Sequence, residues 1–483
     1  MNSSNLFPYN NQLISEIFGP LSIDKTRLPS SQLTNIGVPS FVAEWLLDKI
    51  IPGTGPITTE QQQKLDNFIK KAFPRKDDKE HIKFKLIQGE TVKIIALMQV
   101  RINLKPGQEE IPEPTAQIPT LSFTDIRIST EIVQRHERLL RQGIWGKITL
   151  AMKPNGEIEI IDFDPFQSSN VNLQTYSQYR SQINTEKWRD LMFCSMGYNP
   201  ENPTYSRQSK TWILARLLPI VEPNYHLWEL APKGTGKSFI FENLSSKVKL
   251  ISGGKIGPAV LFFNGKTKEI GLLGSYDTVV LDEVQSLYFE NPEEMIGPLK
   301  NYLANGRYNR SGYADVSSDC SLVMLANIEL NEQQKPKNEN NLLTGLPNYL
   351  KETAFLDRFA GILPGWEIPK FQQNMTANQT GLKTDYFAEA LLTLRQDNRH
   401  LQYAKQYTKF DTKTITIRDE QAILKSASGF LKILYPHLNL TLQDYERDCL
   451  QPAIKMRQQI RNLLYHLDDE FKQYGPEIYA DAK

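Results

Sequence analysis

The residues best suited to chemistry are Lys233-Gly234-Thr235-Gly236-Lys237-Ser238, directly after the apolar run His226-Leu227-Trp228-Glu229-Leu230. A triphosphate needs backbone N–H groups curling round it, an ammonium reaching its outer phosphates and a hydroxyl on the accompanying Mg2+ ion. Gly234 and Gly236 permit the curl, with Lys233 and Thr235 completing the loop. Lys237 supplies the ammonium and Ser238 the hydroxyl, so ATP with Mg2+ is the ligand expected here. The full eight-residue pattern would open with glycine at 231, where this chain has Ala231. In a strand-to-helix setting that departure is expected to be tolerated, with some loss of nucleotide affinity open.

Two further apolar strands end in polar groups of matching use. Thr278-Val279-Val280-Leu281 runs into Asp282-Glu283, where Asp282 can hold magnesium and Glu283 can polarise an attacking water. Ser321-Leu322-Val323-Met324-Leu325-Ala326 ends in Asn327, whose amide could hydrogen-bond both the water and the γ phosphate. In Ala354-Phe355-Leu356-Asp357-Arg358-Phe359, Arg358 is a candidate to reach a neighbouring subunit's nucleotide as an arginine finger. Its alternative is a surface pair with Asp357.

The order of elements around these motifs is strand, loop, helix, strand, helix, strand, which argues a parallel sheet with helices on both faces. Before it, FVAEWLLDKII and the segment 58–73 carry apolar residues at helical spacing, while IKFKLIQ alternates residue by residue and TVKIIALMQVRINL is β-branched. The latter two are expected to be strands. KITLAMKPNGEIEIIDFD reads as a hairpin with Asn155-Gly156 at its tip. A small β-barrel or sandwich is therefore expected over about 79–166, with an OB-like barrel as one form. TEKWRDLMFCSMG is a helix with Thr185 as its expected N-cap and Gly197 as its stop. Helices dominate beyond 384 and end in a long one near 445–472. The resulting division is a helical region at 1–78, a β-rich module at 79–180, an α/β nucleotide-binding core at 181–383 and a C-terminal helical lid at 384–483.

Composition excludes several classes. With 40% hydrophobic and 23% charged residues the chain of 483 residues is globular and of multi-domain length. Lys plus Arg at 56 against Asp plus Glu at 55 leaves a net charge of +1, so any polyanion must be held by a local patch. Basic residues at 70, 71, 75, 76, 79, 83 and 85 read either as a solvated face or as a phosphate-contacting patch. Cys194, Cys320 and Cys449 suit neither a disulfide framework nor a thiolate metal site, which points to a reducing cytoplasm. No apolar run is long enough to span a membrane and no secretory leader is evident. The six histidines lack ligand spacing, and no metal beyond magnesium is expected.

With these pieces in order the chain resembles the AAA+ ATPases, and more narrowly the BrxL family of bacterial BREX phage-defence systems. The strings that carry the resemblance are LLRQGIWGKITL, ARLLPIVEPNYHLWELAPKGTGKSFIFENLS, LISGGKIG, IGLLGSYDTVVLDEV, FLDRFAGILPGWEIPK and SASGFLKILYP, spread from about residue 33 to 473. The resemblance implies a homo-oligomeric ring, a hexamer or stacked double ring, that binds double-stranded DNA and acts with other phage-defence proteins. Family members usually continue into a Lon-like protease domain with a serine and lysine pair, and this sequence stops at YGPEIYADAK. Proteolysis by this polypeptide is therefore not expected. Where the family tends to place arginines in the lid, this chain has Leu424-Lys425, and Lys425 becomes the candidate second sensor of the γ phosphate.

In a ring, Gly265-Lys266-Thr267-Lys268-Glu269 and Asn305-Gly306-Arg307-Tyr308-Asn309-Arg310-Ser311-Gly312-Tyr313 are placed to line the pore. Lys266, Lys268, Arg307 and Arg310 could contact DNA phosphates without reading bases, or could sit on ordinary solvated turns. Two rival functions stand beside the DNA-encircling motor: a remodeller feeding unfolded chains to a separate protease, and a DNA-binding scaffold in which ATP only sets assembly.

Overall fold

The structure is a computed structural model that describes residues 8–33, 37–102, 113–140, 143–166, 171–266, 269–308, 316–338 and 341–483. It divides into two compact units, one formed by Met1–Lys25 with Asn170–Lys483 and the other by Thr26–Ser169.

In the smaller unit, after a short helical turn at Arg27–Ser31, come helices α1 (Ser40–Ile50), α2 (Thr59–Ala72) and α3 (Lys79–Ile87). Thr58 and Gln61 form a reciprocal capping box that opens α2. The α3 helix takes in IKFKLI of IKFKLIQ, with Gln88 as its C-cap, so the expected strand there is a helix. The alternation of Ile82, Phe84 and Leu86 misleads because the helix buries only Ile82 and Leu86, four residues apart, and leaves Phe84 exposed. Five strands then close into a barrel: β1 (Val92–Arg101), β2 (Thr115–Ile118), β3 (Phe123–Ile128), β4 (Ile144–Met152) and β5 (Ile158–Pro165). Their order is β1-β2-β3-β5-β4, with β4 closing on β1 and β3 lying parallel to β5. The β4–β5 pair is the expected hairpin, with Gly156 at φ +83 in its turn. Ile94, Met98, Ile118, Ile148, Leu150 and Ile160 fill the interior.

The larger unit is built on a five-stranded, wholly parallel sheet of β6 (Leu227–Ala231), β7 (Val248–Ile256), β8 (Thr278–Phe289), β9 (Ser321–Asn327) and β10 (Gly361–Pro364). The spatial order is β10-β6-β9-β8-β7, which puts β6, the strand that leads into the phosphate loop, between β10 and β9. Val279, Val280, Leu281, Leu322, Val323 and Met324 are all buried, because a parallel sheet is covered on both faces and its strands read as continuous apolar runs.

Three more helices matter for the site: α4 (Thr185–Ser195) and α5 (Arg207–Ala215) precede the sheet, and α6 (Phe239–Asn243) follows the loop. The cap of α4 is Asn184, whose side chain accepts from the Lys187 N–H, one residue before the expected Thr185. Beyond the sheet come α7 (Thr384–Arg395), α8 (Ile417–Leu434) and α9 (Gln451–Leu467).

These last helices reach the amino ends of the strands. Arg395 of α7 donates to the carbonyls of Pro219, Ile220 and Glu222 before β6, of Asp277 before β8 and of Asp319 before β9. Lys432 of α8 reaches the Val221 carbonyl at 2.9 Å and pairs with Glu222 at 3.0 Å. Asp419 caps α8 while accepting from Arg457 and Arg461 of α9, and Arg457 also holds Asp357 at 2.5 Å. Among the described residues no helix is long and apolar enough to cross a membrane, and the three cysteines are buried and form no disulfide.

Candidate nucleotide site

Ala231 ends β6, and the chain turns at Pro232 and Lys233 into α6. Gly234 and Gly236 stand at φ +86 and +68, a backbone conformation that disfavours any Cβ, so both glycines are required by geometry. Ala231 is not in that region. It closes an extended strand in register with Asn327 of β9, so a glycine there serves no conformational need. The space its methyl occupies is provided by Gly365, where a Cβ would lie inside van der Waals distance of the Ala231 Cβ and 2.8 Å from the Leu230 carbonyl oxygen.

Two contacts cross the loop. The Lys237 ammonium donates to Asn327 Oδ1 at 2.6 Å, and the Ser238 hydroxyl donates to Asp282 Oδ2 at 2.5 Å. Burial pushes the Lys237 ammonium below the usual lysine range, while Glu229, Asp282 and Glu283 pull the other way. Asp282 Oδ1 accepts from the Glu283 N–H at 2.8 Å, and Glu283 itself has φ +52 with an exposed side chain. At this point β8 breaks register against β7 between Asp282 and Leu287. The bulge turns Glu283 out of the ladder while Asp282 stays buried within it.

The donor set fits a hard cation shared with phosphate. One hydroxyl and one carboxylate in direct contact leave most of an octahedral shell to water and phosphate oxygens, which is how Mg2+ is commonly held at nucleotide sites. Among the described residues no cluster of three or more His, Cys, Asp or Glu could hold a metal on its own.

The remaining expected site residues lie elsewhere. Lys233 is exposed at the loop's outer turn. Lys425 is not brought to the phosphate loop: its ammonium lies 3.4 and 3.2 Å from the carbonyls of Pro223 and Asn224, at the amino end of β6, whereas the loop leaves the carboxyl end. Arg358 precedes β10 and bonds through Nη1 to the Ala354 carbonyl, while its Nε is buried without an acceptor among the described residues. Burial, and then the like charge of Arg418, push its guanidinium below the usual arginine value. Asp357 faces Arg457 and Arg418 rather than forming the surface pair with Arg358 that was its alternative. Lys266 lies in the turn between the short strands Phe263–Asn264 and Glu269–Ile270, and Arg307 is exposed at the start of a second short hairpin. Tyr308 beside it is core: its hydroxyl reaches the Phe262 carbonyl at 3.2 Å. Lys268 and Arg310 lie outside the described residues.

Sequence reasoning missed several groups around the loop. Arg216, after α5, pairs with Glu229 of β6 and touches the loop backbone. Glu242 of α6 has its carboxyl pushed up by partial burial and by nearby Asp282. Gln285 of the bulge accepts from the Asn327 N–H at 3.4 Å. None of these has a spacing signal, because each partner comes from a different strand or helix.

Comparison with known proteins assigns both parts of the chain. Residues 158–477 match the family "Lon-like protease BrxL-like, ATPase domain", and residues 16–152 match "BREX system Lon protease-like protein BrxL N-terminal". The Lon-like protease BrxL of Escherichia coli O9:H4 (strain HS) is 30% identical over 438 residues, covering 89% of this chain and 61% of that protein. Its namesake from Bacillus cereus (strain H3081.97) is 32% identical over 441 residues, with 88% and 62% covered. An uncharacterized protein of Acidianus filamentous virus 1, ORF426, is 28% identical over 266 residues, 48% of this chain and 57% of that protein. The chain thus spans about three fifths of the length of the BrxL relatives it matches. A phosphate loop on a β10-β6-β9-β8-β7 parallel sheet, with both family matches end to end, places this chain in the BrxL-like, Lon-related ATPase family with an AAA+-like fold.

Proposed function

We propose that this chain hydrolyses ATP as a subunit of a ring, binds double-stranded DNA without sequence specificity, and couples the two in antiphage defence in the cytoplasm. The observation that carries the nucleotide part is the pair of contacts Lys237–Asn327 and Ser238–Asp282, with Glu283 one residue on and turned outward. Mg2+ bound with the nucleotide would neutralise phosphate charge. Ser238 and Asp282 would hold that ion. The Lys237 ammonium would exchange the Asn327 amide for phosphate oxygen, and Asn327 would then be free to orient a water that Glu283 deprotonates.

Arg358 is proposed to act on a neighbouring subunit's nucleotide, supported by its unaccepted Nε and the cation beside it. The helices α7 to α9 are the candidate lid. The barrel is proposed to be OB-like, since its β1-β2-β3-β5-β4 order and the parallel β3–β5 pair suit that form, and OB barrels bind oligonucleotides. Lys266 and Arg307 are the proposed DNA contacts of the larger unit, joined by Lys268 and Arg310.

The test is the Glu283→Gln protein, assayed for ATP binding, hydrolysis and assembly with and without duplex DNA. Retained binding with turnover reduced about a hundredfold or more supports the assignment. Normal turnover would sink it.

A further inference from the structure

Arg216 is 0% and Glu229 1% exposed, and they sit in the interior beneath the phosphate loop. A guanidinium has five N–H donors in a fixed fork, and here all five have acceptors. Nε points to both Glu229 oxygens, at 3.2 and 3.1 Å, and Nη2 reaches Glu229 Oε1 at 2.6 Å. The second Nη2 proton faces the Thr235 carbonyl at 3.3 Å. Nη1 serves the Gly236 carbonyl at 3.2 Å and the Tyr198 hydroxyl at 3.1 Å. One peptide earlier, the Gly234 carbonyl accepts from the Phe371 N–H at 2.8 Å.

These contacts have a directional consequence. In a trans peptide the C=O of one residue and the N–H of the next point in opposite directions. Holding the carbonyls of Gly234, Thr235 and Gly236 on protein donors therefore aims the N–H groups of Thr235, Gly236 and Lys237 away from those donors. Those three N–H groups have no acceptor among the described residues. They form a concave set of donors of the kind that takes phosphate oxygens.

We infer that Arg216 and Glu229, with the Phe371 N–H, are positioning residues that pre-set the phosphate loop by gripping its carbonyls from behind. This inference rests on the nucleotide reading above. Glu229 has two parts in it: it neutralises Arg216 inside an apolar sheet, and it fixes the plane of the fork by a bidentate contact. A lysine at 216 has only three donors and no plane, so it cannot serve both carbonyls, the Tyr198 hydroxyl and the two Glu229 oxygens at once.

A merely structural ion pair makes a different forecast, and the two can be separated. Replacing a buried pair by apolar residues of similar volume commonly preserves the fold. The double variant Arg216→Met/Glu229→Leu should then melt within a few degrees of the parent, while its KM for ATP rises about tenfold or more with a smaller change in kcat. Equal KM and kcat in a folded double variant would overturn the inference. Because the double variant could fail to fold, Phe371 provides a second arm on an exposed residue. Phe371→Pro removes the N–H that holds Gly234, whereas Phe371→Ala keeps it. The proline variant should weaken binding of a fluorescent ATP analogue several-fold more than the alanine variant does, and equal effects would count against the gripping of carbonyls. A parent protein that binds no nucleotide would overturn the functional reading and this inference together. A parent that hydrolyses ATP normally while both arms stay silent would overturn this inference alone.

Discussion

Introducing Gly365→Ala should show how closely the opening of the phosphate loop is packed. The new methyl would overlap the Ala231 side chain and stand 2.8 Å from the Leu230 carbonyl oxygen and 3.1 Å from the Ala231 Cα. Carbon contacts relax at about 3.5–4.0 Å, so each neighbour must give by several tenths of an ångström or more. Two of the three are backbone in β6, which is paired on both sides, and have no rotamer to change. The cost should therefore fall toward the upper part of the overpacking range, about 2–3 kcal/mol. Thermal unfolding should register it as a drop of several degrees, at roughly 2–4 °C per kcal/mol in domains of about 150–250 residues and less in longer ones. Adding Ala231→Gly removes one of the three overlaps and leaves the Leu230 carbonyl, so it should recover about 1 kcal/mol through coupling of the two sites. Alone, Ala231→Gly should destabilise by about 0.5–1 kcal/mol through chain entropy and change the KM for ATP by less than about threefold, because Ala231 is in ordinary extended backbone. Strictly additive melting temperatures in the cycle, or a tenfold tighter KM in Ala231→Gly, would refute the reasoning.

Lys237→Met should cost about 1.5–3 kcal/mol of charge-assisted binding, a roughly ten- to hundredfold loss in ATP affinity that equilibrium titration would read. His226 and His400 are buried, with pKa values lowered by burial to about 3 and about 4. An unfolded histidine takes its proton near pH 6.5, so each group favours the folded state above that pH and loses that contribution as pH falls toward its folded value. By pH 5 the loss should be about 2 kcal/mol per histidine, seen as a lower denaturation midpoint, and a flat midpoint between pH 7 and 5 would contradict it. Arg307→Ala should weaken duplex DNA binding alike for all sequences and reduce the salt slope by about one, whereas unchanged affinity at low salt would remove that hairpin from the DNA surface.

What could be read from the sequence was whatever burial writes into consecutive residues. Val279-Val280-Leu281 and Leu322 to Leu325 announced a two-faced sheet because every position there is covered. Gly234 and Gly236 announced a loop with left-handed backbone, which their φ values have. The Lys79–Ile87 helix was obscured because a short segment with apolar residues at 82, 84 and 86 fits period two as well as it fits the 82/86 pair. Lys425 lies at the amino end of β6 and away from the phosphate loop, a placement the sequence hides because spacing along α8 does not say which strand ends the helix meets. Arg216 and Glu229, separated by thirteen positions, look like unrelated charges in the string, and only the sheet and its packed helix make them one group. Arg358 was visible as a cation beside an apolar turn, but its separation from Asp357 follows from Arg457, a hundred residues away.

Arg395 collects carbonyl oxygens from just before three different strands, and it belongs to α7, outside the sheet. A protein cut at residue 383 would lose that cation and bare the lower rim of the sheet to water. The first strands to lose their anchorage would be β6, β8 and β9, which carry the phosphate loop, Asp282 and Asn327. In the design of shorter forms, the sheet and the helices after it therefore behave as one indivisible block, and a trimmed ATPase fragment should be judged by whether it keeps residue 395.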